Sequence, residues 1–272
     1  MVTFVVAVNN RKVFRDNFMS SPCLGTLQGP EVLVQEHFNS AAIAYNDALE
    51  KSSNDLVVFC HQDMILPENW ITQLQEALSF LAKSDPNWGV LGCYGKTRDG
   101  RGWGYVYSSG RGIIGKPFVQ PTPVQTLDEI VLIVRKSSGL RFDPSLPHFH
   151  FYGADICLRA ASMGMRNYVI SAFCVHNTVQ TLVLPKEFYD GYEHVRRTWS
   201  HALPIQTTCV RMTRFGIPLR RRRLQEWYLR HVRRCEIGGK RIEDVQALVR
   251  TVKRLLERRP GLVDQPSQGE TL

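Results

Sequence analysis

The sequence has no apolar run near the roughly 20 residues needed to span a bilayer, no Cys-x-x-Cys pair and no internal repeat. The first absence excludes a helical membrane anchor. The second argues against a zinc knuckle or a disulfide framework, because the seven cysteines (Cys23, Cys60, Cys93, Cys157, Cys174, Cys209, Cys235) are odd in number and widely spaced. Most lie in apolar runs such as VVFC and AFCV, where a thiol acts as a small hydrophobe. The opening MVTFVVAVNN has neither a long apolar run nor a charged leader, so it reads as a buried strand rather than a secretory signal. A cytoplasmic protein is expected.

What is present is ordinary globular composition, 43% hydrophobic over 272 residues. That length fits one large domain with an appendage or two small domains. The net charge of +9 is uneven: residues 211–259 carry 16 Lys/Arg against 5 Asp/Glu, which leaves the rest of the chain slightly acidic.

From Val2 to about Asn177 strand-like and helix-like segments alternate, the pattern of an α/β domain with a largely parallel sheet. The expected strands are Thr3–Val8, Val32–Gln35, Leu56–Cys60, Val90–Cys93, Ile130–Val134 and Tyr168–Val175, with helices over Ala41–Leu49, Glu68–Ala82 and Ile156–Met163. The stretch Gly95–Pro123 is rich in glycine, aromatics and proline and reads as an irregular, partly mobile excursion. Its literal G-x-G-x-x-G (Gly110, Gly112, Gly115) is followed by KPFVQPTP, whose prolines forbid the helix a dinucleotide loop requires.

After Pro185 the pattern turns helical. Leu224, Trp227, Tyr228, His231, Val232 and Cys235 share one helical face, as do Ile242, Val245, Leu248, Val249, Val252, Leu255 and Leu256. Gly238-Gly239 lies between them, so a basic helical hairpin is expected, its apolar stripes facing a core. The last dozen residues read as disordered. The expected organisation is therefore a catalytic domain over residues 1–185 and a helical extension over 186–272.

Three segments carry chemistry. In LVVFCHQD a buried strand ends in His61, Gln62 and Asp63 before a turn with Pro67, and ligands of open α/β sheets gather beyond the carboxyl ends of strands. A carboxylate there either caps the turn or holds a divalent cation and, through it, a diphosphate. In HFHFYGADICLRAASMG, Asp155 follows Gly153 at a strand-to-helix switch, where it serves as an N-cap, as a general base, or as both. His148 and His150 nearby read as local surface packing, with a metal pair as the alternative. In YVISAFCVHN, His176 ends another strand, and imidazole plus carboxylate suits manganese-like ions.

Taken in order, these segments resemble the GT-A fold glycosyltransferases, specifically the family 2-like branch. The resemblance runs from about residue 3 to 180 through Asn9-Asn10, the NSAAIAYN helix start at 39–46, HQD at 61–63, VLGCYG at 90–95, DEIVLIVRKS at 128–137, LRFDP at 140–144 and FYGADICLRA at 151–160. It implies a Rossmann-like, mostly parallel α/β domain that binds a nucleoside diphosphate sugar with manganese or magnesium and transfers the sugar to an acceptor hydroxyl, on a glycan for example, with inversion. By the same resemblance Asp63 and His176 ligate the metal, and Asp155 is the base. Asn9, Glu36, Asn46, His61 and Gln62 fall where the family contacts the nucleotide. His61 replaces the first acid of the family's D-x-D, and VQEHFNS stands where an acidic run follows the second strand. Both departures bear on ribose and base recognition.

Other classes compete. A nucleotidyltransferase would use a similar sheet and metal, and a non-catalytic nucleotide or glycan binder would keep the fold alone. A nucleic-acid binder would use the basic tail, but its regular apolar stripes favour an anionic membrane surface, peripheral to the inner face, or a homo-oligomer.

Overall fold

A computed structural model describes residues 1–179, 183–233 and 241–257. Among these the strands are β1 (Val2–Ala7), β2 (Glu31–Gln35), β3 (Leu56–His61), β4 (Met64–Ile65), β5 (Leu91–Gly92), β6 (Tyr94–Lys96), β7 (Gly102–Ser108), β8 (Gly112–Gly115), β9 (Thr122–Val124), β10 (Thr126–Leu127), β11 (Val131–Arg135), β12 (Asn167–Val169) and β13 (Cys174–His176). The helices are α1 (Arg11–Asp16), α2 (Pro22–Gly25), α3 (Ala41–Lys51), α4 (Trp70–Ser84), α5 (Tyr152–Ser162), α6 (Lys186–Thr198), α7 (Ile217–His231) and α8 (Val245–Glu257).

The α/β class expected from the sequence is found, but the main sheet is mixed rather than largely parallel. Its order is β2-β1-β3-β11-β5-β12-β9. The β1 strand pairs in parallel with β2 and β3, whereas β11 runs antiparallel to both β3 and β5. Both faces are covered, which explains the uninterrupted apolar strands. Val5, Phe59, Leu132 and Val134 face α3 and α5, while Phe4, Val6, Val58 and Ile133 face α4. Each such fully buried side chain contributes about 1.5–3 kcal/mol relative to exposure.

A smaller sheet, β10-β6-β7-β13-β4 with β8 paired to β7, lies at one end. Two expectations change there. The segment 168–175 is two strands in two different sheets, because Ile170–Phe173 carries the chain from one to the other. The stretch 95–123 is largely β-ribbon. Its strands pass so close that a Cβ on Gly104 (φ +149°) would stand 2.5 Å from the Cys93 carbonyl oxygen. Glycine at that crossing serves strand approach, and no helix follows Gly115, in keeping with the rejected phosphate loop.

Beyond residue 185 the chain stays in the same core. Phe188, Tyr192, Trp199, Met212 and Leu219 pack with Tyr45, Phe142 and Ile156. Helix α8 docks Val245, Leu248 and Val252 on Ile65, Tyr107, Phe173 and Val175, as its stripe implies. Helix α7 does not follow that expectation: Leu224, Trp227, Tyr228 and Val232 are exposed. Cys235, Gly238-Gly239 and the C-terminal dozen lie outside the described residues.

Candidate active site

A cavity of about 480 Å³ opens at the carboxyl ends of β1, β2 and β3. Ala7, Gln35 and His61 end those strands and line it, together with Asn9, Glu36, His37, Phe38, Tyr45, Gln62, Asp63, Phe149 and Tyr152. Its floor is built by the strand-to-helix turn after β1. Asn10 caps α1 by accepting from Lys12 N and Val13 N, both at 3.1 Å. Gln62 Oε1 accepts from Asn9 N at 3.2 Å and Asn10 N at 3.0 Å, and Gln62 Nε2 donates to Asn9 Oδ1. Glu36 is held by Arg11 through a two-point ion pair, with Nε donating at 2.9 Å and Nη2 at 2.5 Å.

One end of the cavity leads to three metal-competent side chains. His61, Asp63 and His176 offer ligand atoms that all lie within 4.8 Å of one another. Local topology brings them together. His61 ends β3, Asp63 sits in the tight connection to β4, and β4 pairs antiparallel with β13 so that His176 faces Met64. The Asn177 N–H donates to the Asp63 carbonyl at 2.9 Å and closes the turn.

The electrostatics are coupled. Burial pushes the Asp63 carboxyl up, but His176, His61 and Arg241 outweigh it and hold it well below the usual carboxylate range. Burial pulls His176 down, yet the Asp63 carboxylate raises it above the ordinary imidazole value, and Nε2 stands 3.4 Å from Asp63 Oδ1. Burial also lowers His61. Its Nε2 lies 2.9 Å from the Tyr152 hydroxyl, which donates to the Glu129 carbonyl at 3.3 Å. A lowered His61 and an ionised Asp63 suit a cation, whereas His176, raised by Asp63, must give up its proton to ligate one. This mixed imidazole–carboxylate set is of the kind that could hold a divalent metal ion.

Asp63 has a further partner. Arg241, just before α8, donates from Nη2 to Asp63 Oδ2 at 2.6 Å and from Nε to the Asn177 carbonyl at 2.8 Å. Asn177 pins this segment with a reciprocal pair, donating to the Ile242 carbonyl at 2.9 Å and accepting from Ile242 N at 3.1 Å.

The cavity thus gathers Asn9, Glu36, His61, Gln62 and Asp63, with His176 behind them. Two expected residues stand apart. Asn46 sits on α3 with both ends of its amide engaged by the Phe142 backbone, N–H and carbonyl each at 2.9 Å. It braces the wall and does not line the cavity, where Tyr45 stands instead. Asp155, the expected base, also stands outside the cavity lining. Its residue is fully buried, Oδ1 accepts from Trp199 Nε1 at 2.7 Å, and Arg159 lies 3.7 Å from Oδ2. Burial raises its carboxyl, against the opposing Trp199 bond and Arg159 charge. In this conformation the indole and the Arg159 guanidinium enclose the carboxylate.

Nor does Asp155 cap α5. The helix begins at Tyr152, after Phe151 at φ 65°, and the Glu129 carboxylate accepts from Gly153 N at 3.2 Å. Burial and Asp128 push Glu129 up to about 8, against the opposing backbone N–H groups of that first turn. His148 faces Asp190 at 3.5 Å, and the His150 ring packs on Phe188, as surface packing implies. Sequence reasoning did not place His61 among the candidate metal ligands, nor did it find the aromatic wall of Phe38, Tyr45, Phe149 and Tyr152, or Arg241. The HQD motif signalled the first and the apolar-rich FHFY run part of the second; one arginine among many signalled nothing.

Known proteins supply a further comparison. A family model described as a glycosyltransferase-like family matches residues 3–195. A curated relative from Fuscovulum blasticum, described as ATP synthase subunits region ORF 6, is 29% identical over 142 residues. That alignment covers 49% of this chain and 55% of the relative, so the chain spans about half the length of the curated relative it matches. Among solved structures, S. aureus TarS 1–349 in complex with UDP aligns at TM-score 0.47 and 15% identity, over 75% of this chain and 66% of its own. The mannosyltransferase PcManGT from Pyrobaculum calidifontis, in complex with GDP-Man and Mn2+, aligns at TM-score 0.43 and 16% identity, over 95% of this chain and 81% of its own.

Proposed function

Because the chain belongs to the glycosyltransferase-like family, we propose that it takes a nucleoside diphosphate sugar into the cavity at the ends of β1–β3 and transfers the sugar to an acceptor hydroxyl. The observation that carries this reading is the convergence of His61, Asp63 and His176 within 4.8 Å at one end of that cavity.

In this arrangement the aromatic wall, with Tyr45 and Phe149, faces the nucleobase, and the Asn9–Gln62 lattice and Glu36 face the ribose. His61, Asp63 and His176 would hold a divalent ion, manganese by preference, which would supply positive charge to neutralise the departing diphosphate. Arg241 adds a fixed positive charge beside the same carboxylate. Transfer forms the bond between the acceptor oxygen and the anomeric carbon and breaks the bond from that carbon to the diphosphate oxygen. The acceptor's proton leaves to a base. Inversion stays an expectation of the family resemblance, to which the Asp155 carboxylate, enclosed in this conformation, adds nothing.

The test is thermal. A ligand that binds only the native state raises its melting temperature. Nucleoside diphosphates should raise it with manganese present and far less with a chelator. A panel giving no shift under either condition would contradict the reading.

A further inference from the structure

Helix α7 is inside out. Its inward side carries Leu219 and Glu226, both buried, and the Glu226 carboxylate is consumed there by the Tyr189 hydroxyl, by Leu184 N at 3.3 Å and by Arg222 Nε at 2.9 Å. Its outward side carries Ile217, Leu224, Trp227, Tyr228 and Val232, which are 45–66% exposed, with Phe215 at 69% in the turn before it. At 100° per residue these positions fall on one face, opposite Leu219 and Glu226. A helix that turns its carboxylate to the protein and its Trp and Leu to the solvent has its apolar partner elsewhere.

Charge identifies the partner. Residues 211–233 hold eight arginines and a single acid, Glu226, which points inward. Arg220 and Arg221 are exposed on that same face, between Ile217 and Leu224, and Arg223, Arg230 and Arg233 are exposed around it. A second copy meeting this face would bring arginine against arginine. Nucleic acid would meet the charge but leave Leu224 and Val232 in water. An anionic bilayer satisfies both, because aromatic and aliphatic side chains sink to the headgroup boundary while arginines reach back to phosphates. We infer that the outward face of α7 docks the protein in the plane of an anionic phospholipid surface. This inference is independent of the reaction proposed above, and no helix among the described residues is long and apolar enough to cross a membrane.

The test uses the full chain and vesicles of phosphatidylcholine with or without phosphatidylglycerol. The parent should co-sediment with the anionic vesicles, weakly or not at all with the neutral ones, and less as salt rises. Leu224→Glu with Trp227→Glu should abolish binding, and Arg220→Ala with Arg221→Ala should weaken it about fivefold per arginine. All four positions are exposed, so far-ultraviolet circular dichroism and melting temperature should match the parent, as should the metal-dependent shift with nucleoside diphosphate. The inference is overturned if the parent binds neutral and anionic vesicles alike or neither, or if the double glutamate variant still binds. It is equally overturned if sedimentation shows a dimer that the glutamate variant dissolves while vesicle binding stays absent.

Discussion

The Arg241 guanidinium donates to Asp63 Oδ2 at 2.6 Å across 178 positions of sequence, so the segment leading into the last described helix closes on the carboxylate nearest the candidate metal centre. Apolar docking of Val245, Leu248 and Val252 and the reciprocal Asn177–Ile242 bonds hold it there. Arg241 lies outside the matched family region, which ends at residue 195, whereas Asp63 lies within it. An ion bound by Asp63 must share that carboxylate with a resident cation. Arg241→Ala should therefore tighten manganese binding by roughly tenfold, the scale of one lost charge-assisted bond, with α8 still docked. Calorimetry showing unchanged or weaker manganese affinity would mean that Arg241 does not compete.

Asp155→Asn separates a structural from a catalytic carboxylate. Asn keeps an oxygen to accept from Trp199 Nε1. Activity should stay within about threefold of the parent, against the roughly hundredfold or greater loss expected of a missing base. Asp155→Ala should cost about 1–3 kcal/mol of stability, since it strands a buried indole N–H. A folded Asn variant with hundredfold slower transfer would restore Asp155 as the base.

Asn46→Ala should unfold more readily by about 1–3 kcal/mol, because it strands the N–H and carbonyl of Phe142. Nucleoside diphosphate affinity of the folded fraction should match the parent. Selective loss of affinity with unchanged urea midpoint would return Asn46 to the nucleotide site.

Glu129 gives a pH signature. Its carboxyl is raised from 4.5 to about 8 by burial and by Asp128, so the native state holds a proton that the unfolded chain releases. The stabilisation is complete below about pH 4.5 and is lost as pH rises through about 8. Melting temperature followed from pH 5 to 9 should fall more steeply for the parent than for Glu129→Gln, which keeps an acceptor for Gly153 N. Parallel profiles would show that Glu129 is already ionised in the folded protein.

The legible parts of the chain were those where a side-chain period has one outcome. The β-branched runs of β1 and β3 belong in a doubly covered sheet, and the strand ends then locate Asn9, His61 and Asp63. The stripe of α7 shows the limit, since period reveals that one face is apolar but not what covers it. Asp155 and Asn46 stand in telling motifs, yet the direction of each side chain depends on Trp199 and Phe142, which are 44 and 96 positions away. The run 168–175 reads as one strand because nothing in its apolar sequence marks the passage between sheets. Motif position places His61 at the ribose, and the neighbour that makes it a candidate metal ligand, His176, arrives only through the β4–β13 pairing.

On the function proposed here, His61, Asp63 and His176 act as one metal site that a nucleoside diphosphate shares. The direct measurement is manganese affinity by electron paramagnetic resonance, with and without nucleoside diphosphate, for the parent and for His61→Ala, Asp63→Ala and His176→Ala. The parent should bind one ion more tightly with the nucleotide present, and each variant should lose at least about tenfold in affinity, the range expected when a ligand or its support is removed. A His61→Ala protein that binds manganese and nucleotide as the parent does would contradict it.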